Sequence, residues 1–333
     1  MRSIMLCDMP QYPHKVYTDA TWQRLAQIAG LEQDFYCKED ILANPQGFAD
    51  VDFVFSTWGM VELTEEQIRR IFPRLQCIFY GAGSVQHFAR PYLNCGIRLF
   101  SAWGANGVPV AEYTVAQIIL ANKGFFLSSA AMSAGRTAEA HAIAANYPGN
   151  YEGKVGIIGA GMIGKLVIRL LKSYQLEVLV FDPFLPEETA QALGVRKCTL
   201  EEVFANCQVV SNHLANLPET QGMLNEPLFA SMRPYATFLN TGRGAQVVEA
   251  DLAKVLICRP DLTAVLDVTW PEPPVEGHPF YQLPNCMLSP HIAGSSGNEV
   301  HRMAEYMVDE FLRYTNGQPC QYEVSLKMLE TMA

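Results

Sequence analysis

An α/β fold of two doubly wound parallel-sheet domains is the architecture this sequence predicts, on three observations. Short apolar runs alternate with helical patterns along most of the 333 residues, as in open parallel sheets. A glycine-rich turn, Gly159-Ala160-Gly161-Met162-Ile163-Gly164, joins one such run to a helical stretch at mid-chain. A long helical stretch begins at Ala105, and helical pattern returns after Gly294. The last observation divides the chain into a discontinuous outer domain, 1–104 with 295–333, and a central domain, 105–294.

In the outer domain, Ile4 to Cys7 reads as a first strand, and Thr18 to Ala29 as a helix closed by Gly30. Val51 to Phe55 is the next strand. Thr64 and Gln67 form a capping box for a helix that stops before Pro73. Leu75 to Tyr80 is a third strand and Ile97 to Phe100 a fourth. Ligands of open sheets sit beyond the carboxyl ends of the strands. That picks out Trp58 and Gly59 in one loop, and Ala82 and Gly83 in Gly81-Ala82-Gly83-Ser84, as substrate contacts. A glycine loop can offer N–H groups to a carboxylate; the alternative is two ordinary βα turns.

Ala105 to Lys123 reads as one long helix carrying the chain into the central domain. Residues 124–150 lack periodicity, and a stretch of this kind often packs on a partner subunit.

The central domain opens with the buried strand Val155 to Ile158. In a dinucleotide site Gly159 permits the tight turn, Gly161 lets a pyrophosphate approach, and Gly164 lets the helix pack on the strand. Met162 and Ile163 begin that helix, whose N-terminus presents free N–H groups to phosphate. The strand Leu176 to Phe181 ends at Asp182, 18 residues after Gly164, where an acid that bonds the ribose hydroxyls is expected. Strand, loop, helix, strand and acid together describe a Rossmann domain. Asp182 repels a 2′-phosphate, and neither Pro183 nor Phe184 is basic, so NAD is favoured over NADP.

Thr199 and Glu202 cap the next helix. Four further strands end at loops carrying polar residues. Gln208 to Asn212 leads to His213, Ala215 and Thr220; Ala236 to Leu239 leads to Asn240-Thr241-Gly242-Arg243-Gly244. Leu262 to Leu266 leads to Asp267, with Glu272 in the proline-rich loop beyond; Met287 and Leu288 lead to Ser289-Pro290-His291. Ser296 and Glu299 cap a last helix that runs to about Thr315.

A net charge of −10 argues against a nucleic-acid partner, which needs basic patches. The nine cysteines form no C-x-x-C pair and read as free thiols rather than a disulfide framework or metal site. No apolar run is long enough for a membrane span or signal peptide, so a cytoplasmic location with no membrane partner is expected.

A histidine, a carboxylate and an arginine at strand ends suit hydride transfer to or from an oxyacid. The histidine moves the hydroxyl proton, the carboxylate stabilises the imidazolium, and the arginine holds a carboxylate in a planar fork. Taken one by one, His291 suits a structural histidine, Asp267 a loop cap and Glu272 a solvated carboxylate. Arg243 between two glycines suggests close backbone approach to a ligand.

These pieces together resemble the D-isomer-specific 2-hydroxyacid dehydrogenases. The matching runs are Gly81-Ala82-Gly83, Asn106 to Glu112, Gly159 to Gly164, His213 to Thr220, Asn240 to Gly244, Asp267-Val268 with Glu272-Pro273, and Ser289 to Gly294. The resemblance implies a flavodoxin-like substrate domain beside the Rossmann domain. It also implies a homodimer formed through the latter, and NAD-dependent interconversion of a small D-2-hydroxy acid and its 2-keto acid. Arg243 then binds the substrate, with Ala82 and Gly83 assisting, and Glu272 and His291 form the proton-transfer pair. Thr220, Thr241 and Gly242 line the cofactor, and Asp267 lies on its nicotinamide side. Ala215 stands where the family often has proline. The same residues also suit a dinucleotide-sensing corepressor, or a formate- or phosphite-type dehydrogenase.

Overall fold

The computed structural model describes residues 1–330. The last three residues of the expected 295–333 segment lie outside them. The chain forms two compact units, Met1–Asn106 with the segment from Ser295 onward, and Gly107–Gly294. The boundary falls two residues later than 104/105 because the start of the long helix, Trp103–Ala121, belongs to the outer unit. There Trp103 packs edge-on against Tyr322, Ala105 is fully buried, and Asn106 Oδ1 accepts from the Ser295 N–H at 3.0 Å.

The outer unit holds β1 (Ser3–Leu6), β2 (Leu31–Tyr36), β3 (Phe53–Ser56), β4 (Cys77–Tyr80), β5 (Arg98–Ser101) and, from the returning segment, β13 (Glu323–Val324). The sheet order is β13-β5-β4-β3-β1-β2. All pairings are parallel except that of β13, which runs antiparallel to β5 on one edge. The sequence does not predict β2. Its residues, Leu-Glu-Gln-Asp-Phe-Tyr, lie on an edge, mostly outside the core, and carry no apolar run. Helix Asp19–Ala29 starts at Thr18, whose side chain accepts from Thr21 N–H, and ends at Gly30 with φ 65°. Thr64 and Gln67 make their capping box. Two hydrophobic cores form, one including Ile4, Val54 and Ile78, the other Phe55, Phe79, Phe100 and Phe311.

In the central unit, β6 (Tyr151–Ile158), β7 (Gln175–Phe181), β8 (Arg196–Lys197), β9 (Val209–Asn212), β10 (Thr237–Asn240), β11 (Thr263–Leu266) and β12 (Cys286–Leu288) pair in the order β12-β11-β10-β9-β6-β7-β8, all parallel. Order reverses at β6, next to β9, the switch point of a doubly wound sheet. The stretch 124–150 is not structureless. It forms helices Phe125–Ser133 and Thr137–Ala144, whose alanine- and serine-rich sequences hide the helical period. Among the described residues no single helix is long and apolar enough to cross a membrane.

Candidate active site

The glycine turn behaves as its sequence demands. Gly159 has φ +88°, and a Cβ there would lie 2.7 Å from the His213 carbonyl oxygen. A Cβ at Gly164 would lie 2.1 Å from the Gly159 oxygen, so the helix Met162–Leu171 sits directly on the turn. At Gly161 a Cβ would meet nothing within 4 Å. No side chain caps this helix, and among the described residues nothing accepts from the N–H groups of Gly161, Met162 or Ile163. Open space in front of free N–H groups at a helix N-terminus fits a pyrophosphate.

Asp182 follows β7 and is tied into the same turn. Its carboxylate accepts from Ala160 N–H at 2.7 Å and Phe184 N–H at 2.8 Å. It lines a cavity of about 560 Å³ together with Phe181, Pro183, Lys197 and Thr199. Lys197 is the basic residue that the sequence around Asp182 does not reveal. β8 pairs beside β7 and brings it in, and its ammonium donates to Leu185 O at 2.6 Å.

At the ends of β9 and β10 the loops are held by side-chain amides. Asn212 Nδ2 donates to Asn240 Oδ1 at 3.0 Å and to Gln246 Oε1 at 2.6 Å. His213, on the β9 loop, keeps its Nε2 2.9 Å from Ser211 Oγ, and burial pushes its pKa down to about 4, so the ring is neutral. Thr220 donates to Ala215 O at 2.7 Å, and Thr241 meets Thr114 Oγ1 at 3.1 Å. The Thr220 hydroxyl shapes its own loop, and that of Thr241 ties its loop to the helix Trp103–Ala121. Ala215 itself is exposed.

Arg243 is half-buried, and its Nη1 donates to Gly242 O at 2.8 Å. Among the described residues it forms no ion pair within 4 Å. Burial lowers its pKa and the charge of Glu272 pulls it back up. A guanidinium in this setting has donors that an anion can take. The glycines beside it lie close to the protein's own atoms. A Cβ on Gly244 would lie 2.0 Å from the Thr269 carbonyl carbon, and one on Gly242 3.0 Å from Asn212 Nδ2. Both make room for the protein's own packing.

Glu272 and His291 come together with Oε1 and Nδ1 2.7 Å apart, both partly exposed. His291 has φ 54°, a conformation costly for a non-glycine residue. Asp267, 2 % exposed, holds it there. Its Oδ1 accepts from Ser289 Oγ and Ile292 N–H, and its Oδ2 from Ala293 N–H. The loop-capping reading of Asp267 therefore describes what its carboxylate does. Glu249 anchors the Glu272 loop, accepting from Trp270 N–H at 2.7 Å.

In the outer unit, Trp58 and Gly59 follow β3. Cys7 Sγ donates to Trp58 O at 3.1 Å, and Asp8 N–H to Gly59 O at 2.7 Å. Ser101 Oγ reaches both Ala82 O and Gly83 O, and among the described residues nothing accepts from the N–H of Ala82 or Gly83. All nine cysteines are free; burial pushes those at Cys77, Cys207 and Cys286 up to about 12.

Residues 115–293 match the profile of the D-isomer specific 2-hydroxyacid dehydrogenase, NAD binding domain. The chain belongs to the D-isomer specific 2-hydroxyacid dehydrogenase family. Its central unit is the NAD-binding domain of that family. The D-3-phosphoglycerate dehydrogenase of Archaeoglobus fulgidus is 26 % identical over 71 % of this chain and 44 % of its own length. The chain thus spans less than half the length of that relative. A formate dehydrogenase of Neurospora crassa is 31 % identical over 73 % of this chain and 67 % of its own. Among solved structures, a phosphoglycerate oxidoreductase from Rhizobium etli shares the fold, with TM-score 0.80, 21 % identity, and 98 % and 99 % of the two chains covered.

Proposed function

We propose that this protein interconverts a small D-2-hydroxy acid and its 2-keto acid with NAD as cofactor. The observation that carries the reading is a half-buried Arg243 that forms no ion pair among the described residues, in the field of a carboxylate that is itself paired with a histidine, Glu272 with His291.

Arg243 takes the substrate carboxylate and carbonyl, and in the outer unit Trp58, Gly59, Ala82 and Gly83 are the candidates for substrate contact. The glycine loop from Gly159 to Gly164 takes the pyrophosphate, and Asp182 the adenosine ribose. His213, Ala215, Thr220, Thr241, Gly242 and Asp267 build the remaining wall of the cofactor site. Glu272 occupies His291 Nδ1, leaving Nε2 to give a proton to the carbonyl oxygen during reduction and to take it back in oxidation. Bound NADH supplies the hydride. Asp182 selects NAD over NADP. A homodimer formed through the central unit accounts for exposed Phe125 and Met132 on one helix.

NADH oxidation with a panel of small 2-keto acids tests the reading. Turnover of at least one, with a D-configured product and its loss in Arg243→Ala, is the expected result. Identity to the Neurospora crassa formate dehydrogenase favours a second reading. Formate oxidation with no keto-acid reduction would establish that one instead.

A further inference from the structure

The catalytic assignment leaves unexplained a fully buried glutamine, Gln246, three residues past Arg243. Its side-chain amide has two N–H donors and two acceptor positions, and all four are used. Nε2 donates to Leu214 O at 2.9 Å and Ala215 O at 2.8 Å. Oε1 accepts from Asn212 Nδ2 at 2.6 Å and Arg243 N–H at 3.3 Å. The backbone N–H of Arg243 only donates and the two carbonyls only accept, so the amide orientation is fixed by its neighbours. A glutamate cannot donate to two carbonyls, and an apolar residue of equal size can neither donate nor accept. The backbone of Gln246 is pinned as well, its carbonyl accepting from Leu224 N–H at 3.0 Å.

One side chain therefore joins the loop after β9, which carries His213 and Ala215, to the loop after β10, which carries Arg243. We propose that Gln246 is a positioning residue that sets the cofactor-side loop 213–217 and the substrate arginine as one body. The proposal rests on the functional reading above, which assigns those two loops to cofactor and substrate.

Amide hydrogen exchange without NADH, on the wild type and on Gln246→Met, tests it. In the variant, exchange should speed up together in peptides covering 213–217 and in those covering 242–244; wild-type exchange in either loop overturns the proposal. Gln246→Met keeps the volume and removes all four bonds. Each lost bond leaves a buried partner unsatisfied, so the Kd for NADH and the KM for the keto acid should each rise roughly 10-fold or more, with a smaller change in kcat. Gln246→Glu keeps the acceptor but loses both donors, and should raise the NADH Kd similarly. A residue that only fills space would lower Tm and leave Kd and KM at wild-type values, which overturns the proposal. If the wild type reduces no keto acid, the functional reading fails by itself, and NADH Kd and exchange still decide the role of Gln246.

Discussion

Asp267 holds His291 in a left-handed backbone conformation. The carbonyl of Asp267 accepts from His291 N–H at 3.0 Å, while its carboxylate takes the next two N–H groups, of Ile292 and Ala293, both at 2.9 Å. A buried carboxylate surrounded by donors is stable, and it offsets the strain at φ 54°. Asp267→Asn replaces one acceptor oxygen with a donor facing N–H or O–H groups. We expect a folded protein with keto-acid reduction down by roughly 100-fold, the scale of a misplaced catalytic group. Steady-state kinetics beside a thermal melt check this; wild-type kcat in a destabilised protein would show that the loop geometry is irrelevant to turnover.

His291→Ala should cut turnover by roughly two to four orders of magnitude, the range for loss of a general acid. NADH affinity should change far less, because the adenosine half is assigned to residues between Gly159 and Asp182. Near-normal turnover with saturating NADH and the best keto acid would mean that the proton comes from another group.

Glu272→Gln removes the negative charge 2.7 Å from His291 Nδ1. The charge-assisted hydrogen bond that orients the ring is then replaced by a weaker neutral one. Keto-acid turnover should fall by roughly 10-fold with NADH affinity little changed, as steady-state kinetics beside an NADH titration would show. Wild-type turnover in the variant would remove Glu272 from the proton-transfer pair.

Asp182 and Lys197 line one cavity with opposite charges. Asp182→Ser should narrow the gap between NAD and NADP, since the repulsion of a 2′-phosphate goes and Lys197 stays. Asp182→Ser with Lys197→Ala should give back part of that gain. Better use of NADP than NAD by the wild type would refute the charge argument.

His213 links structure to acid stability. Its pKa is lowered from 6.5 to about 4 by burial, so the unfolded chain binds this proton first as pH falls. Its stability contribution is full above pH 6.5 and is lost progressively from there down to about 4. Each pH step of one between those two values is worth about 1.4 kcal/mol, and allowing for the partial exposure of the residue the loss is about 2 kcal/mol. Urea unfolding of His213→Asn should vary less with pH across this window than that of the wild type. A parallel pair of curves would show that another group carries the acid sensitivity.

Much of the molecule is written in local patterns. The apolar runs that became β3, β4, β6, β9, β10 and β11 are strands of parallel sheets, and burial on both faces demands continuous apolar sequence. Thr18, Gly30, Thr64 and Thr199 mark helix ends because capping is a contact of near neighbours. Gly159, Gly161 and Gly164 act through the turn they share. The polar edge strand β2 and the helices from Phe125 to Ala144 lacked such a signature, since neither buries a continuous apolar face.

What only the tertiary structure decided are contacts between residues far apart in the chain. Glu272 meets His291 across 19 positions, Asp267 caps a loop 25 and 26 positions away, and Gln246 reaches back 31 and 32 to two carbonyls. Lys197 joins Asp182 because β8 pairs with β7. No periodicity or spacing encodes these meetings. They exist because a parallel sheet gathers the carboxyl ends of its strands at one edge, where buried polar groups must find partners or bear the cost of desolvation.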